Sequence, residues 1–389
     1  MKTYEKEMDP LKKIRAGIIG AGFIGAAHIE ALRRLGNVEV VALAKTKGAR
    51  QRAKELFVAK GYKDYREMID KENLDAVHIC TPNYLHYEMA MYAMKKGLAV
   101  MMEKPFTVSL EEAQKLAKYA RDNNIVGGVN HTLRMFPQVM QMKELMQKGE
   151  VGDVFAVHGC YLQDWLYLDT DWNWRLEADV NGKTRAFSDI GSHWIDMVEN
   201  IIGQRAVELL AEFRIVHKKR KKPLKEIETF SAFAPRAEDY EEKTIETEDW
   251  CTILFKFEKG AIGCVNVSQV TAGRKNQQVI EISGSKCSLK WDSEDSNELW
   301  IGRREAYNQK VPKDPSLVEP KSAELMGYPG GHVEGFPDTF KMQFKKFYEA
   351  IEKKDCENVD FATFEDGVRE MLLNDKVYES ASKRAWVKI

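Results

Sequence analysis

A chain of 389 residues is long for one domain and comfortable for two, each able to bury its own core. With 59 lysines and arginines against 60 aspartates and glutamates the formal net charge is -1, so no cationic excess marks a nucleic-acid surface. No apolar run is long enough to cross a bilayer, and the 44% hydrophobic, 31% charged composition is that of an ordinary globular protein.

The start, MKTYEKEMDPLKK, is polar and lacks the apolar stretch of a secretory signal, so residues 1–11 read as a tail. Six dispersed cysteines without a CxxC pair suggest a reducing compartment, and the chain reads as cytoplasmic. A first strand over 14–19 runs into GAGFIG at 20–25, and a helix follows to Gly36. Valine-rich residues 38–44 make a second strand, and 74–80 a third that ends at Thr81-Pro82-Asn83. A helix from Tyr84 stops at Gly97, before a fourth strand over 98–103. Ser109 with Glu112 forms a capping box for a helix to about 124, and 125–130 is a fifth strand. Such alternation implies right-handed crossovers and a parallel sheet, so residues 12–131 are predicted to form an α/β domain of Rossmann type.

Beyond it, a helix over 137–148 precedes closely spaced strand candidates at 154–162, 207–216, 250–270, 278–291 and 298–302. Turns at Glu258-Lys259-Gly260 and Gly284-Ser285 suggest an antiparallel meander. Helices over 338–352 and 364–381 close the chain. Residues 132–389 therefore read as an α+β domain with an open, mostly antiparallel sheet. The basic run HKKRKKPLK at 217–225 reads as a solvated loop.

Gly20, Gly22 and Gly25, with Phe23 and Ile24 between, form a GxGxxG that follows a strand and opens a helix. In that setting the pattern predicts dinucleotide binding, with the pyrophosphate at the helix N-terminus. An acid about 20 residues on would accept from a ribose hydroxyl and mark NAD. Twenty beyond Gly25 stands Lys45 instead, so Lys45, Thr46 and Arg50 favour a 2′-phosphate and a lean to NADP. Thr81, Pro82, Asn83 and His86, with Glu103 and Lys104, follow the third and fourth strands at the carboxyl ends, where a cofactor crosses.

In FSDIGSHWIDM, helical spacing puts Asp189, His193 and Asp196 on one stripe beside an apolar one. Those three could ligate a metal with His158 or His332, but the cysteines do not cluster, and no metal is expected. Residues 161–176 hold Tyr161, Trp165, Tyr167, Trp172 and Trp174, which suit sugar faces or a plain core. Gln163, Asp164 and Arg175 beside them could serve hydroxyls or the cofactor, and His332 sits in a glycine-rich loop near the C-terminal helices.

With GAGFIGAAH, TPNYLH, EKP at 103–105 and DIGSH at 189–193 in this order, the chain resembles the Gfo/Idh/MocA family. YLQDW, WNWR, DIGSHWID and the ending VYESASKRAWVKI are similar to its levoglucosan dehydrogenase branch. The resemblance implies NAD(P)-dependent interconversion of a ring alcohol and ketone on a sugar or cyclic polyol, at C3 of a pyranose in that branch. It implies that Lys104, Asp189 and His193 are catalytic, with His193 as acid–base group and Asp189 orienting the imidazole or binding a substrate hydroxyl. It places Leu133 and Arg134 at the substrate; the aromatic run and the glycine-rich loop themselves suggest Trp174 and Arg175 at the cofactor and Gln163, Trp165 and His332 at the substrate. It further implies assembly as a homodimer or homotetramer through the sheet, whose exposed face is expected to carry Ile253, Phe255, Phe257, Ile262 and Val265. Two other readings are a glycoside-processing enzyme using transient oxidation and a non-catalytic dinucleotide-binding regulator.

Overall fold

The computed structural model describes residues 13–224, 239–356 and 358–389; the expected tail over 1–11 lies outside them. Strands β1 (Ile14–Ile19), β2 (Val38–Ala44), β3 (Lys60–Tyr62), β4 (Ala76–Ile79), β5 (Ala99–Met102) and β6 (Gly127–Val129) form one sheet. All its pairings are parallel, in the order β3-β2-β1-β4-β5-β6. Strands β4 and β5 are buried on both faces, as helix-covered parallel strands must be, and apart from His78 they are apolar. The chain order reverses between β1 and β4, which opens a crevice at their carboxyl ends. Three-residue β3 was too short to show in the sequence pattern.

One layer over this sheet comes from the far end of the chain. Phe340, Phe344 and Phe347 of the helix Phe336–Lys353 pack with Ile18, Ile29 and Met101 in one core. The helix Phe364–Lys383 serves both halves: Phe364 and Met371 join the core of the first sheet, Leu373 and Val377 that of the second.

The second sheet has β7 (Val154–Leu162), β8 (Ala206–Arg214), β11 (Trp250–Phe257), β12 (Ile262–Ser268), β13 (Gln277–Gly284), β14 (Ser288–Asp292), β15 (Glu298–Gly302), β16 (Gln309–Pro312) and β17 (Val387–Lys388). Their order is β16-β15-β14-β13-β7-β12-β11-β8-β17. It is not a simple meander, because β7 is inserted between β13 and β12 and runs parallel to β12. Strands β9 (Lys219–Pro223) and β10 (Tyr240–Thr244) pair as a separate ribbon.

That ribbon corrects the reading of the basic run as a solvated loop. Alternation along β9 keeps Lys219 and Lys221 in solvent and turns Arg220 inward, fully buried against Asp249 at 2.8 Å. Lys225 lies outside the described residues. A second correction concerns the open face of the sheet. Ile253, Phe255, Phe257 and Val265 are buried, with Phe255 stacked on Trp194 of the helix Ser192–Ile202. Period-two alternation identified residues sharing a face but could not say which face meets helices. Of the five, only Ile262 is exposed, since it pairs with Lys256 while Val265 pairs with Ile253.

Candidate functional site

A cleft of about 790 Å³ runs from the carboxyl ends of β1, β4 and β5 to the helix Ser192–Ile202. At one end, Gly20 has φ +90, and a Cβ there would lie 2.7 Å from the Cys80 carbonyl group. A Cβ on Gly25 would lie 2.1 Å from the Gly20 carbonyl oxygen, so glycine lets the helix Phe23–Arg33 start against the loop. Gly22 caps that 11-residue helix with no side chain on its first-turn N–H groups. These groups and the positive dipole end fit a dinucleotide pyrophosphate. Phe23 and Ile24 line the cleft beside them.

Lys45 and Thr46 line the cleft just beyond β2, as does Lys63, which follows the Tyr62 carbonyl bonded to the Lys45 N–H at 2.9 Å. Arg50 is exposed and outside the lining; two residues on, about half a turn of helix away, Arg52 points inward instead and donates to the Ala21 carbonyl at 3.0 Å. Thr81, Pro82 and Asn83 line the middle, and the buried Asn83 Oδ1 has no protein partner. His86 is buried away from the cleft, its ring nitrogens on the backbone carbonyls of Thr81, Pro105 and Phe106. Glu103 lines the cleft but is anchored from behind by His28 at 2.8 Å and by Asn130. Burial would raise its pKa, but His28, Asn130 and nearby Lys104 together outweigh that and lower it.

Lys104, Asp189 and His193 converge at the other end. Phe187–Gly191 is a π-helical turn, with the Ser192 N–H reaching the Phe187 carbonyl, and it leads directly into Ser192–Ile202. Such turns are rare and frequent at functional sites. The Lys104 ammonium donates to the Asp189 backbone carbonyl and, at 3.0 Å, to Oδ1. Arg175 Nε donates to the same oxygen at 3.0 Å, and Gln269 Nε2 donates to Oδ2 at 2.7 Å. Burial would raise the Asp189 pKa, but Lys104 and Arg175 hold it down at about 2. Its acceptors are thus directed to Lys104, Arg175 and Gln269 rather than to the imidazole.

The imidazole of His193 is oriented by His131 instead, the two Nδ1 atoms 3.3 Å apart, which leaves Nε2 for the cleft. Burial, then Lys104 and His131, push its pKa well below 6.5, so the ring is neutral at pH 7. Beside it, Gln163 Nε2 and the Tyr161 hydroxyl both donate to Asn276 Oδ1, at 2.7 and 2.9 Å, and Trp165 Nε1 donates to Gln163 Oε1 at 2.8 Å. Trp174 lines the cleft with the Arg175 guanidinium 4.5 Å over its ring.

Leu133 lines the cleft, but Arg134 does not. Successive residues of the short turn Thr132–Met135 diverge, and Arg134 points away into a buried pairing with Asp196 and Asp366. That pairing also turns Asp196 away from the cleft. His332 sits exposed on its loop, Nδ1 beside the Gly330 carbonyl, outside the lining. Among the described residues no three His, Cys, Asp or Glu side chains are placed to hold a metal ion, and no helix is long and apolar enough to cross a membrane.

Residues 14–131 match the family model described as "Oxidoreductase family, NAD-binding Rossmann fold", and 139–290 match the GFO/IDH/MocA C-terminal domain. The chain belongs to the GFO/IDH/MocA oxidoreductase family. Among its relatives, levoglucosan dehydrogenase of Pseudarthrobacter phenanthrenivorans is 27% identical, over 97% of this chain and 99% of that one. An oxidoreductase domain protein from Kribbella flavida superposes with a TM-score of 0.87 at 27% identity, covering 97% of this chain and 99% of its own. Levoglucosan dehydrogenase in complex with NADH and levoglucosan superposes with a TM-score of 0.86 at 25% identity and the same coverage. The six-stranded parallel sheet is therefore the NAD-binding domain of this oxidoreductase family, and the mixed sheet its C-terminal domain.

Within that frame, Lys63, His131, Gln269 and Asn276 escaped the sequence reading. Each stands in a segment with no motif of its own, and Gln269 and Asn276 are ordinary polar residues at strand ends. His131 alone left a trace, as a histidine directly after the strand expected over 125–130.

Proposed function

We propose that this family member interconverts a ring secondary alcohol and a ketone on a sugar or cyclic polyol. The observation that carries the reading is one cleft that joins the uncapped glycine loop to Lys104, Asp189 and His193. NADH and levoglucosan named in the related complex support the same class of ligands. A bound nicotinamide dinucleotide supplies the hydride acceptor. The loop Gly20–Gly25 holds its pyrophosphate, and Trp174 and Arg175 stand further along the same wall. His193 takes the hydroxyl proton on Nε2, a task suited to a neutral imidazole. Lys104 stabilises negative charge growing on the reacting oxygen, and Asp189 fixes the ammonium. Tyr161, Gln163, Trp165 and Asn276 offer an aromatic and hydrogen-bonding wall for a ring with hydroxyls.

The test is a panel of pyranoses, anhydrosugars and inositols, followed by absorbance of the reduced dinucleotide. Turnover with a ring polyol supports the reading. Tight dinucleotide binding with no turnover on any of them would replace it with the non-catalytic regulator.

Cofactor choice follows from charge. Lys45, Thr46 and Lys63 line the ribose end with no carboxylate among them, which favours the 2′-phosphate of NADP. Lys45→Asp is expected to weaken NADP by about 1–3 kcal/mol through repulsion of that phosphate, leaving NAD much less affected. Calorimetric titration checks this, and a wild-type preference for NAD would refute it.

We also infer a homodimer or homotetramer through the open sheet face. Leu254 and Ile262 are 40% and 57% exposed there, among Glu208, Lys256 and His158. Ile262→Asp is expected to lower the mass measured by light scattering at micromolar concentration. A monomeric wild type would contradict it.

A further inference from the structure

The proposed base stands beside a lysine, a poor place to leave a positive charge. Taking the hydroxyl proton would put an imidazolium next to Lys104 in a buried site. His131 lies on the side of His193 away from the cleft, 1% exposed, its ring edge-on to that of His193 with centroids 5.2 Å apart. Behind it stand two carboxylates: Glu370 Oε2 lies 3.6 Å from Nε2, and Asp196 Oδ2 lies 3.9 Å from Nδ1. The buried His131 Nε2 and Glu370 Oε1 have no hydrogen-bond partner. Asp196 and Glu370 also border a small cavity with Glu199, Arg205, Asp366 and Arg369, at the surface where the Arg205 side chain is half exposed.

We propose that His131 is the second half of the proton acceptor: it takes the charge from His193 as the substrate hydroxyl ionises, and Glu370 and Asp196 hold it there. The proposal rests on His193 being the base. Before reaction, His193 carries its hydrogen on Nδ1 and donates to the Nδ1 lone pair of His131, whose own hydrogen is on Nε2, facing Glu370. As the hydride leaves carbon with its electron pair for the dinucleotide, the O–H bond breaks and N–H forms at His193 Nε2. The Nδ1–H of His193 then breaks and N–H forms at His131 Nδ1. One proton enters the pair, His193 ends neutral, and His131 is the cation.

The surroundings set that direction. Lys104 faces His193, whereas Asp196 on the helix Ser192–Ile202 and Glu370 on the helix Phe364–Lys383 face His131. Burial lowers the His131 pKa and Arg134, on its own turn, lowers it further, but Asp196 and Glu370 outweigh both and raise it. Asp366 is held off by Arg134 and Arg205. The pair titrates as a unit, and its first proton belongs on His131. That proton reverses the hydrogen bond and leaves His193 with hydrogen on Nε2, unable to act as base. Oxidation is therefore lost as pH falls through the His131 pKa, above 6.5, and not through the lower one of His193.

The test uses the full chain labelled with [15N]histidine, and the pH profile of kcat/KM with the best alcohol from the panel above. In the wild type, one histidine is expected to titrate above pH 6.5 while His193 changes tautomer from Nδ1–H to Nε2–H without gaining charge. In Glu370→Gln, which keeps an acceptor for the Phe106 N–H, that transition moves to lower pH. In His131→Asn the acid limb moves to lower pH and turnover falls about tenfold, less than loss of a direct acid–base group. A merely structural His131 would leave the limb in place and give no linked tautomer change, and either result overturns the proposal. Undiminished turnover in His193→Ala would instead remove the base reading itself, which the histidine spectra measure independently.

Discussion

His193→Ala is expected to cut turnover by about 10²–10⁴-fold, the usual worth of a positioned acid–base group. Dinucleotide affinity should hardly change, because the glycine loop lies on the first sheet and touches none of His193's partners. Lys104→Ala should cost turnover by a similar order, since in the proposed mechanism it removes the cation beside the reacting oxygen. It would also release Asp189, whose Oδ1 is shared between Lys104 and Arg175, so the carboxylate pKa should rise from about 2. In the proposed mechanism the two side chains act on one proton and one oxygen. The double variant should therefore lose much less than the product of the single losses. Near-normal turnover in His193→Ala would mean that the polar stripe of FSDIGSHWIDM is structural.

What the sequence revealed, and what it hid, follows from the range of the interactions. The glycine loop was legible because a strand, a turn and a helix N-terminus lie within about a dozen consecutive residues. Lys104 and the pair Asp189 and His193 were legible through four short motifs in a fixed order, a resemblance that spacing alone would not have supplied. The contact between them was not legible, since Lys104 and Asp189 are 85 positions apart. Helical spacing put Asp189, His193 and Asp196 on one stripe, yet they serve three partners: Lys104, His131 and Arg134. A π-helical turn at Phe187–Gly191 changes the angle between the first two, which periodicity could not foresee. Arg134 and His332 illustrate the converse. A local neighbourhood near the cleft says little about direction, and one residue of turn is enough to send a side chain into the core or into solvent.

The largest expected effect on stability lies behind the site rather than in it. Asp249 is fully buried, and its Oδ1 accepts from Arg185 and, at 2.8 Å, from Arg220, both themselves buried. Burial would raise its pKa, but the two guanidinium groups outweigh that and keep it ionised. Its Oδ2 also accepts from the Val216 N–H at 2.6 Å. Asp249→Ala would leave two buried arginines sharing no carboxylate, a loss of about 3–5 kcal/mol by the usual cost of breaking a buried ion pair. Asp249→Asn keeps an acceptor but not the charge, and should fall between wild type and alanine. Guanidinium denaturation measures both. The effect should reach the active site through one side chain. Arg185 donates to Gln269 Oε1 at 2.7 Å, which turns Gln269 Nε2 toward Asp189 Oδ2. Next to Asp249, Glu248 accepts from the N–H groups of Arg185 and Phe187, so these two acids hold the start of the turn that carries Asp189. In Asp249→Asn, the variant more apt to fold, kcat should therefore drop while the glycine loop still binds dinucleotide. An unchanged denaturation midpoint in Asp249→Ala would show that the catalytic turn is anchored elsewhere.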